Sequence, residues 1–167
     1  DLETAQICIR AALTGHLVLS TIHTNDAVAT LPRLIDIGIE PYLVCAALNV
    51  IVAQRLVRTL CPECKEPYEP EKEVASRYGI RGDILHKTKG CEECNFIGYK
   101  GRRAIYEVLP VSENIKKATL KGSSLYELRQ TACQEGMSTL RASGMKIVEE
   151  GLTALEEVQQ VTVESEL

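Results

Sequence analysis

Aromatic side chains are scarce in this chain of 167 residues: tryptophan is absent, phenylalanine occurs once, and aromatics make up 4%. No aromatic series interleaves with the basic residues, so a stacking platform for unpaired bases is missing. Neither sign of charge is in strong excess, with a net charge of -4 and a pI of about 5.5. That balance argues against a general binder of nucleic acid or anionic membrane, although local basic patches exist. Long apolar runs are lacking too. The longest, YLVCAALNVIVA at 42–53, contains Asn49 and falls short of the ~20 residues that span a bilayer, so it reads as a buried helix. No secretory leader is visible and Asp1 is not a start methionine, so the chain reads as an excised piece or a mature fragment. What remains is ordinary globular composition, 45% hydrophobic and 25% charged, of a size for one domain or one plus a small module.

Cysteine, by contrast, is plentiful: there are seven. Four fall in two pairs, Cys61/Cys64 and Cys91/Cys94, with spacing C-x2-C-x26-C-x2-C. Without a secretory signal a disulfide framework is disfavoured and a metal site favoured. Two such turns let four thiolates converge on a tetrahedral zinc ion. Four sulfurs leave no open coordination position, so the expected role is structural. Iron is the soft-ligand alternative; two disulfides or four unrelated thiols are the plainer one. Residues 61–100 are rich in Cys, Pro, Gly and charge and poor in apolar periodicity. Such a stretch needs a staple in place of a core. Lys87, Lys89 and Lys100 within it, and Arg102 and Arg103 just after it, accompany Glu63, Glu66, Glu69, Glu71, Glu73, Glu92 and Glu93. The mixture favours a zinc module that binds no nucleic acid, against the competing reading of a stand-alone zinc ribbon that does. Cys8, Cys45 and Cys133 read as small core hydrophobes.

Around the module the pattern is α/β. Residues 2–14 predict a helix stopped by Gly15, and 17–22 a short buried strand. Asn25 or Asp26 can cap a second helix, with Val28, Leu31, Leu34 and Ile35 on one face, a kink at Pro32 and an end at Gly38. Pro41 suits the first turn of a third helix running to about Leu60. A strand is expected at 104–109, followed by three or four short helices. Capping boxes at Ser124/Glu127 and Thr153/Glu156 open two of them. The domain reading is 1–60, 61–100 and 101–167.

The stretch TGHLVLSTIHTNDA, 14–27, places a histidine at each end of LVLSTI. On an extended strand His16 and His23 stand about 23 Å apart and share no ligand within one subunit. His23 lies at the carboxyl end, where parallel α/β sheets collect ligands. With the hydroxyls around it, Thr24 among them, it can face a phosphate. Equally, Thr24 and Asn25 can cap the next helix while His23 packs.

Several stretches occur together in order: DLETA at 1–5, TGHLVLSTIHTNDA at 14–27, AQRLVRTLCPEC at 53–64, GCEEC at 90–94, GYKGRRAIYEVL at 98–109 and EGMSTLR at 135–141. Together they resemble the C-terminal part of the secretion and pilus-assembly ATPases, the hexameric motors of type II secretion and type IV pilus extension. The wording of RLVRTLCPECK and IEPYL leans toward secretion. The resemblance implies a partial RecA-like (P-loop NTPase) domain with an inserted tetracysteine zinc module and a C-terminal helical portion. It implies ATP and Mg2+ as ligands, a homo-hexamer, an inner-membrane platform protein as partner, and a cytoplasmic location peripheral to the bacterial inner membrane. By the same resemblance His23 approaches the terminal phosphate, Glu3 orients the catalytic site or supports a subunit link, and His16 stabilises the sheet base or a subunit contact. Thr24, Arg55 and Arg58 reach nucleotide, the two arginines alternatively a neighbouring subunit or solvent. The module is either a docking lever or simply the closure of a long insertion. No G-x-x-x-x-G-K-[ST] segment occurs, so nothing here cradles β- and γ-phosphates. The chain is accordingly expected to be a motor fragment, inactive alone, with exposed sheet elements that pack between molecules or leave it marginally stable.

Overall fold

A computed structural model describes residues 1–162 as a mixed α/β protein with eight α-helices and four strands among them. The expected helical portion, 101–167, ends beyond the described residues. The chain forms two compact units. One comprises Asp1–Ala53 with Glu107–Ser138, the other Gln54–Tyr106 with the described residues from Thr139 onward.

In the first unit, α1 (Leu2–Leu13) begins where the Asp1 carboxylate accepts the Thr4 N–H at 2.8 Å, a side-chain cap that satisfies one orphan donor of the first turn. α2 (Thr30–Asp36) and α3 (Pro41–Ala47) follow, with Pro41 supplying the preset φ of a first turn. α5 (Glu113–Leu120) and α6 (Leu125–Gln134) complete the unit. Ser112 caps α5, and the Ser124/Glu127 capping box opens α6 as its sequence predicts. Ile9, Val28, Leu31, Val44, Leu109, Ile115 and Leu128 meet in one core. The first residues of β1 (Val50–Leu60) lie beside the last of β4 (Tyr99–Pro110), and Val111 N–H donates to Asn49 O beyond their ends.

In the second unit β1 and β4 continue as a pair, and Cys61 N–H donates to Gly98 O. β2 (Lys65–Tyr68) and β3 (Leu85–Thr88) run antiparallel, Lys65 opposite Thr88 and Tyr68 opposite Leu85, with α4 (Lys72–Tyr78) between them in sequence. A 3-10 turn at Glu92–Cys94 precedes β4. α7 (Leu140–Glu149) and α8 (Leu155–Val161) pack so closely that a Cβ on Gly144 would stand 2.4 Å from Val158 Cγ1. Leu60 N–H donates to Leu152 O, and Lys65 Nζ to Gly151 O, tying β1 and β2 to the turn between α7 and α8.

Four expectations from the sequence fail. Residues 16–24 form no strand: they carry no regular structure and pair with no strand of the described chain, with Leu17 89% and Leu19 87% exposed. Burial of an apolar strand requires neighbours on its edges and faces, and the described chain supplies none there. The helix expected from Pro41 to about Leu60 stops at Ala47, and β1 takes over. Its β-branched residues bury Ile51 and Val57 while Val50, Val52 and Leu56 stay exposed, the burial of a strand covered on one face. The second helix starts at Thr30, not after Asn25 or Asp26; Pro32 thus sits in its first turn, where its missing N–H is an orphan anyway, and no kink is required. Thr153 does not cap α8; its hydroxyl donates instead to Arg58 O at 2.7 Å.

Candidate functional site

Both cysteine pairs converge. Cys61 closes β1 and Cys64 precedes β2. Cys91 precedes the 3-10 turn and Cys94 ends it. The four Sγ atoms all lie within 4.8 Å of one another. Cys61 and Cys91 are 3.9 Å apart, Cys64 and Cys94 3.8 Å, and Cys91 and Cys94 3.8 Å. A tetrahedron of metal–sulfur bonds near 2.3 Å sets S···S separations near ~3.8 Å, so the donor set fits one zinc-sized ion.

The backbone prepares these sulfurs. Cys91 N–H and Gly98 N–H donate to Cys94 Sγ at 3.3 and 3.1 Å. Burial pushes the Cys94 thiol up, but those two donors and the neighbouring thiols outweigh it and bring it down to about 7. Burial pushes Cys91 up to about 12, and raises Cys64 as well. Four sulfurs this close ionise together only when a cation takes up their charge, which is what a coordinated divalent ion supplies. Gly98 is required twice. Its φ is +82°, and a Cβ there would meet Thr88 Oγ1 at 1.4 Å. Around the centre Lys89 pairs with Glu66 at 2.9 Å and Lys100 with Glu93 at 3.8 Å, so these two cations face carboxylates.

The histidine segment belongs to the first unit. His23 is exposed near the end of the irregular stretch 16–24, immediately before a tightly bound turn. The Thr24 hydroxyl donates to Asp26 O at 2.9 Å and lies 3.1 Å from the Thr30 hydroxyl. Asp26 accepts Ala29 N–H at 2.8 Å through one oxygen and Arg129 Nη2 at 2.5 Å through the other. Glu107, 2% exposed, accepts Ala27 N–H at 2.8 Å. His16 sits back against α1, its Nδ1 within hydrogen-bonding distance of the Thr14 hydroxyl and Ala11 O. Glu3 is exposed in the first turn of α1.

Arg55 and Arg58 lie in the second unit, on β1 and not at a helix end. Arg55 Nη1 donates to Gln54 O. Arg58 stacks over Tyr99 at 4.2 Å, and its backbone N–H and guanidinium both bond Glu157. The same unit holds a cleft of about 620 Å3, lined by Tyr68, Arg77, Tyr78 and Glu156 among others and containing none of the sequence-predicted site residues. Sequence reasoning offered Asp26 only as a cap, and its carboxylate does take the Ala29 N–H just ahead of α2; it missed Glu107, Arg129 and Glu157 as organising residues. Glu107 had a signal: on a strand it shares a face with Ile105 and Leu109, both buried. The Asp26–Arg129 pair spans 103 positions and had none.

The family model described as "Type II/IV secretion system protein" matches residues 1–160. The chain is 51% identical over 164 residues to the type IV pilus assembly ATPase PilB of Myxococcus xanthus, covering 95% of this chain and 29% of that protein. It is 46% identical to the Thermus thermophilus protein of the same name, covering 98% of this chain and 19% of that one. It is 45% identical to the type II secretion system ATPase E of Vibrio cholerae, covering 99% of this chain and 33% of that one. The chain thus spans about a third or less of the length of these curated relatives.

Proposed function

The chain belongs to the type II/IV secretion system protein family, and on that premise we propose that it is the C-terminal portion of an ATP-hydrolysing motor for type II protein secretion or type IV pilus assembly. The observation that carries this reading is the identity to ATPases of both systems across nearly the whole chain.

In the intact protein the chain completes a RecA-like core within a homo-hexamer. The ring works in the cytoplasm against the bacterial inner membrane and drives a platform protein there. ATP is the substrate and Mg2+ its companion ion. His23 hydrogen-bonds the terminal phosphate from its exposed position, and Thr24 belongs to the same loop. Glu3 orients the site from α1. Arg55 reaches nucleotide or a neighbouring subunit, whereas Arg58 is held by Glu157 and Tyr99 and serves the fold first. Cys61, Cys64, Cys91 and Cys94 hold Zn2+, which contributes cohesion and no open coordination position. The chain alone, lacking a phosphate-cradling glycine loop, does not turn over ATP.

The test is phosphate release by the full-length protein. His23→Ala is expected to lower turnover by roughly two orders of magnitude, in the range of losing a positioned group at a reacting phosphate, while the melting temperature stays within a few degrees. An unchanged rate removes His23 from the site.

A further inference from the structure

Among the described residues none hydrogen-bonds the exposed imidazole of His23, whereas the residues just after it are held. From Thr24 to Thr30 the turn is held by two side chains from distant parts of the same unit, one on a backbone N–H and one on a carboxylate. Glu107 on β4 takes the Ala27 N–H at 2.8 Å, and Arg129 on α6 takes the Asp26 carboxylate at 2.5 Å. Asp26 in turn holds the Ala29 N–H, and its carbonyl accepts the Thr24 hydroxyl. Both members of the ion pair are shielded, Arg129 11% and Asp26 17% exposed, and Glu107 is buried.

A buried carboxylate is retained only when bonds or a cation compensate its desolvation. Here part of the compensation falls on one short loop. The bond from Glu107 fixes where Ala27 sits, and the bond from Arg129 fixes where Asp26 sits. Thr24, adjacent to His23, is held by Asp26 itself. Both acidic and basic groups also act on Cys133: burial raises that thiol, Glu107 raises it further, and Arg129 opposes them, so Glu107 and Arg129 share one electrostatic neighbourhood.

We infer that Arg129, with Glu107, is a positioning residue for His23: through Asp26 and Ala27 it fixes the loop that aims the imidazole. The inference rests on the nucleotide role proposed for His23. It assigns the helical segment after β4 a share in the chemistry, since α6 carries the cation. A misplacement of about 1 Å at a reacting centre can lower rates by about a hundredfold.

The experiment is a double-mutant cycle in the full-length protein, reading kcat and KM for ATP in His23→Ala, Arg129→Met and the double variant. Arg129→Met is expected to lower kcat at least about tenfold with KM for ATP within about twofold, and to add nothing in the His23→Ala background. Arg129→Lys, which keeps a cation, is expected to recover most of the rate, and Arg129→Gln, which removes it, serves the same cycle if Arg129→Met does not fold. Losses at His23 and Arg129 that multiply independently, or an Arg129→Met variant at full rate beside an impaired His23→Ala, overturn the inference and leave the nucleotide role standing. A fully active His23→Ala overturns that role itself, and this inference with it.

Discussion

Glu157 on α8 grips Arg58 on β1 at three points: Oε1 accepts the backbone N–H at 3.0 Å, and Oε2 accepts Nε at 2.9 Å and Nη2 at 2.5 Å. The carboxylate is 5% exposed while the arginine side chain is 45% exposed and lies over Tyr99. Burial raises the Glu157 pKa, but the bonds from Arg58 outweigh it and hold the group below the ordinary carboxylate range.

A depressed folded-state pKa makes the contribution of Glu157 complete above its unfolded value near ~4.3. That contribution is lost as pH falls through the lower folded value. Glu157→Gln is therefore expected to destabilise the protein at pH 7 by about 1–3 kcal/mol, below the range for a fully buried pair because Arg58 is half in water. The difference from wild type shrinks below about pH 4. Urea unfolding at pH 7 and pH 3.5 checks it; an equal difference at both pH values contradicts the assignment.

The four-sulfur centre predicts about one zinc per chain. Stripping it with a strong chelator, or Cys91→Ser with Cys94→Ser, is expected to remove several kcal/mol and to lower Tm by roughly 10 °C or more for a chain of this size. Elemental analysis and calorimetry before and after zinc readdition provide the measurement. A metal-free sample with unchanged Tm would defeat the centre as a structural site.

Gly98→Ala tests the same centre from the backbone. The added Cβ collides with Thr88 at a φ of +82° and pulls the N–H away from Cys94 Sγ. Zinc affinity by chelator competition is expected to fall at least about tenfold, within the range seen when a supporting shell is disturbed. Equal affinity would show that the amide does not tune Cys94.

Leu17 and Leu19 stand almost fully in solvent on a stretch that belongs to no helix or strand. The isolated chain is expected to self-associate at micromolar concentrations through this segment, and Leu17→Ser with Leu19→Ser to reduce that association. Light scattering across a dilution series decides; a clean monomer for the unaltered chain counts against it.

The metal ligands were legible because their chemistry is local: two C-x2-C turns specify converging donors whatever surrounds them. α1 and the Ser124/Glu127 box were legible for the same reason. β1 was not, because an apolar run hides its period; only the alternation from Val50 onward, after the break at Leu48 and Asn49, distinguishes it from helix. The strand expected at 17–22 was read from composition alone, whereas a strand is a relation between segments, and no segment of the described chain pairs with this one. Arg129 was invisible because its meaning lies in Asp26, far away in sequence. Glu107 was visible and passed over: a carboxylate on the inward face of AIYEVL announces a buried acceptor.

The pairing of β1 with β4 also orders events during synthesis. Residues 61–98 lie between the two strands, so β1 leaves the ribosome first and waits for its partner. At about 5–20 residues per second the wait lasts roughly 2–8 s. Throughout it Val50, Val52 and Leu56 have no hydrogen-bonded neighbour beside them, and for most of it Cys61 and Cys64 have emerged without Cys91 and Cys94. The newborn polypeptide is thus most vulnerable to mispairing and oxidation in that interval, and translation speed across this stretch becomes a determinant of its yield.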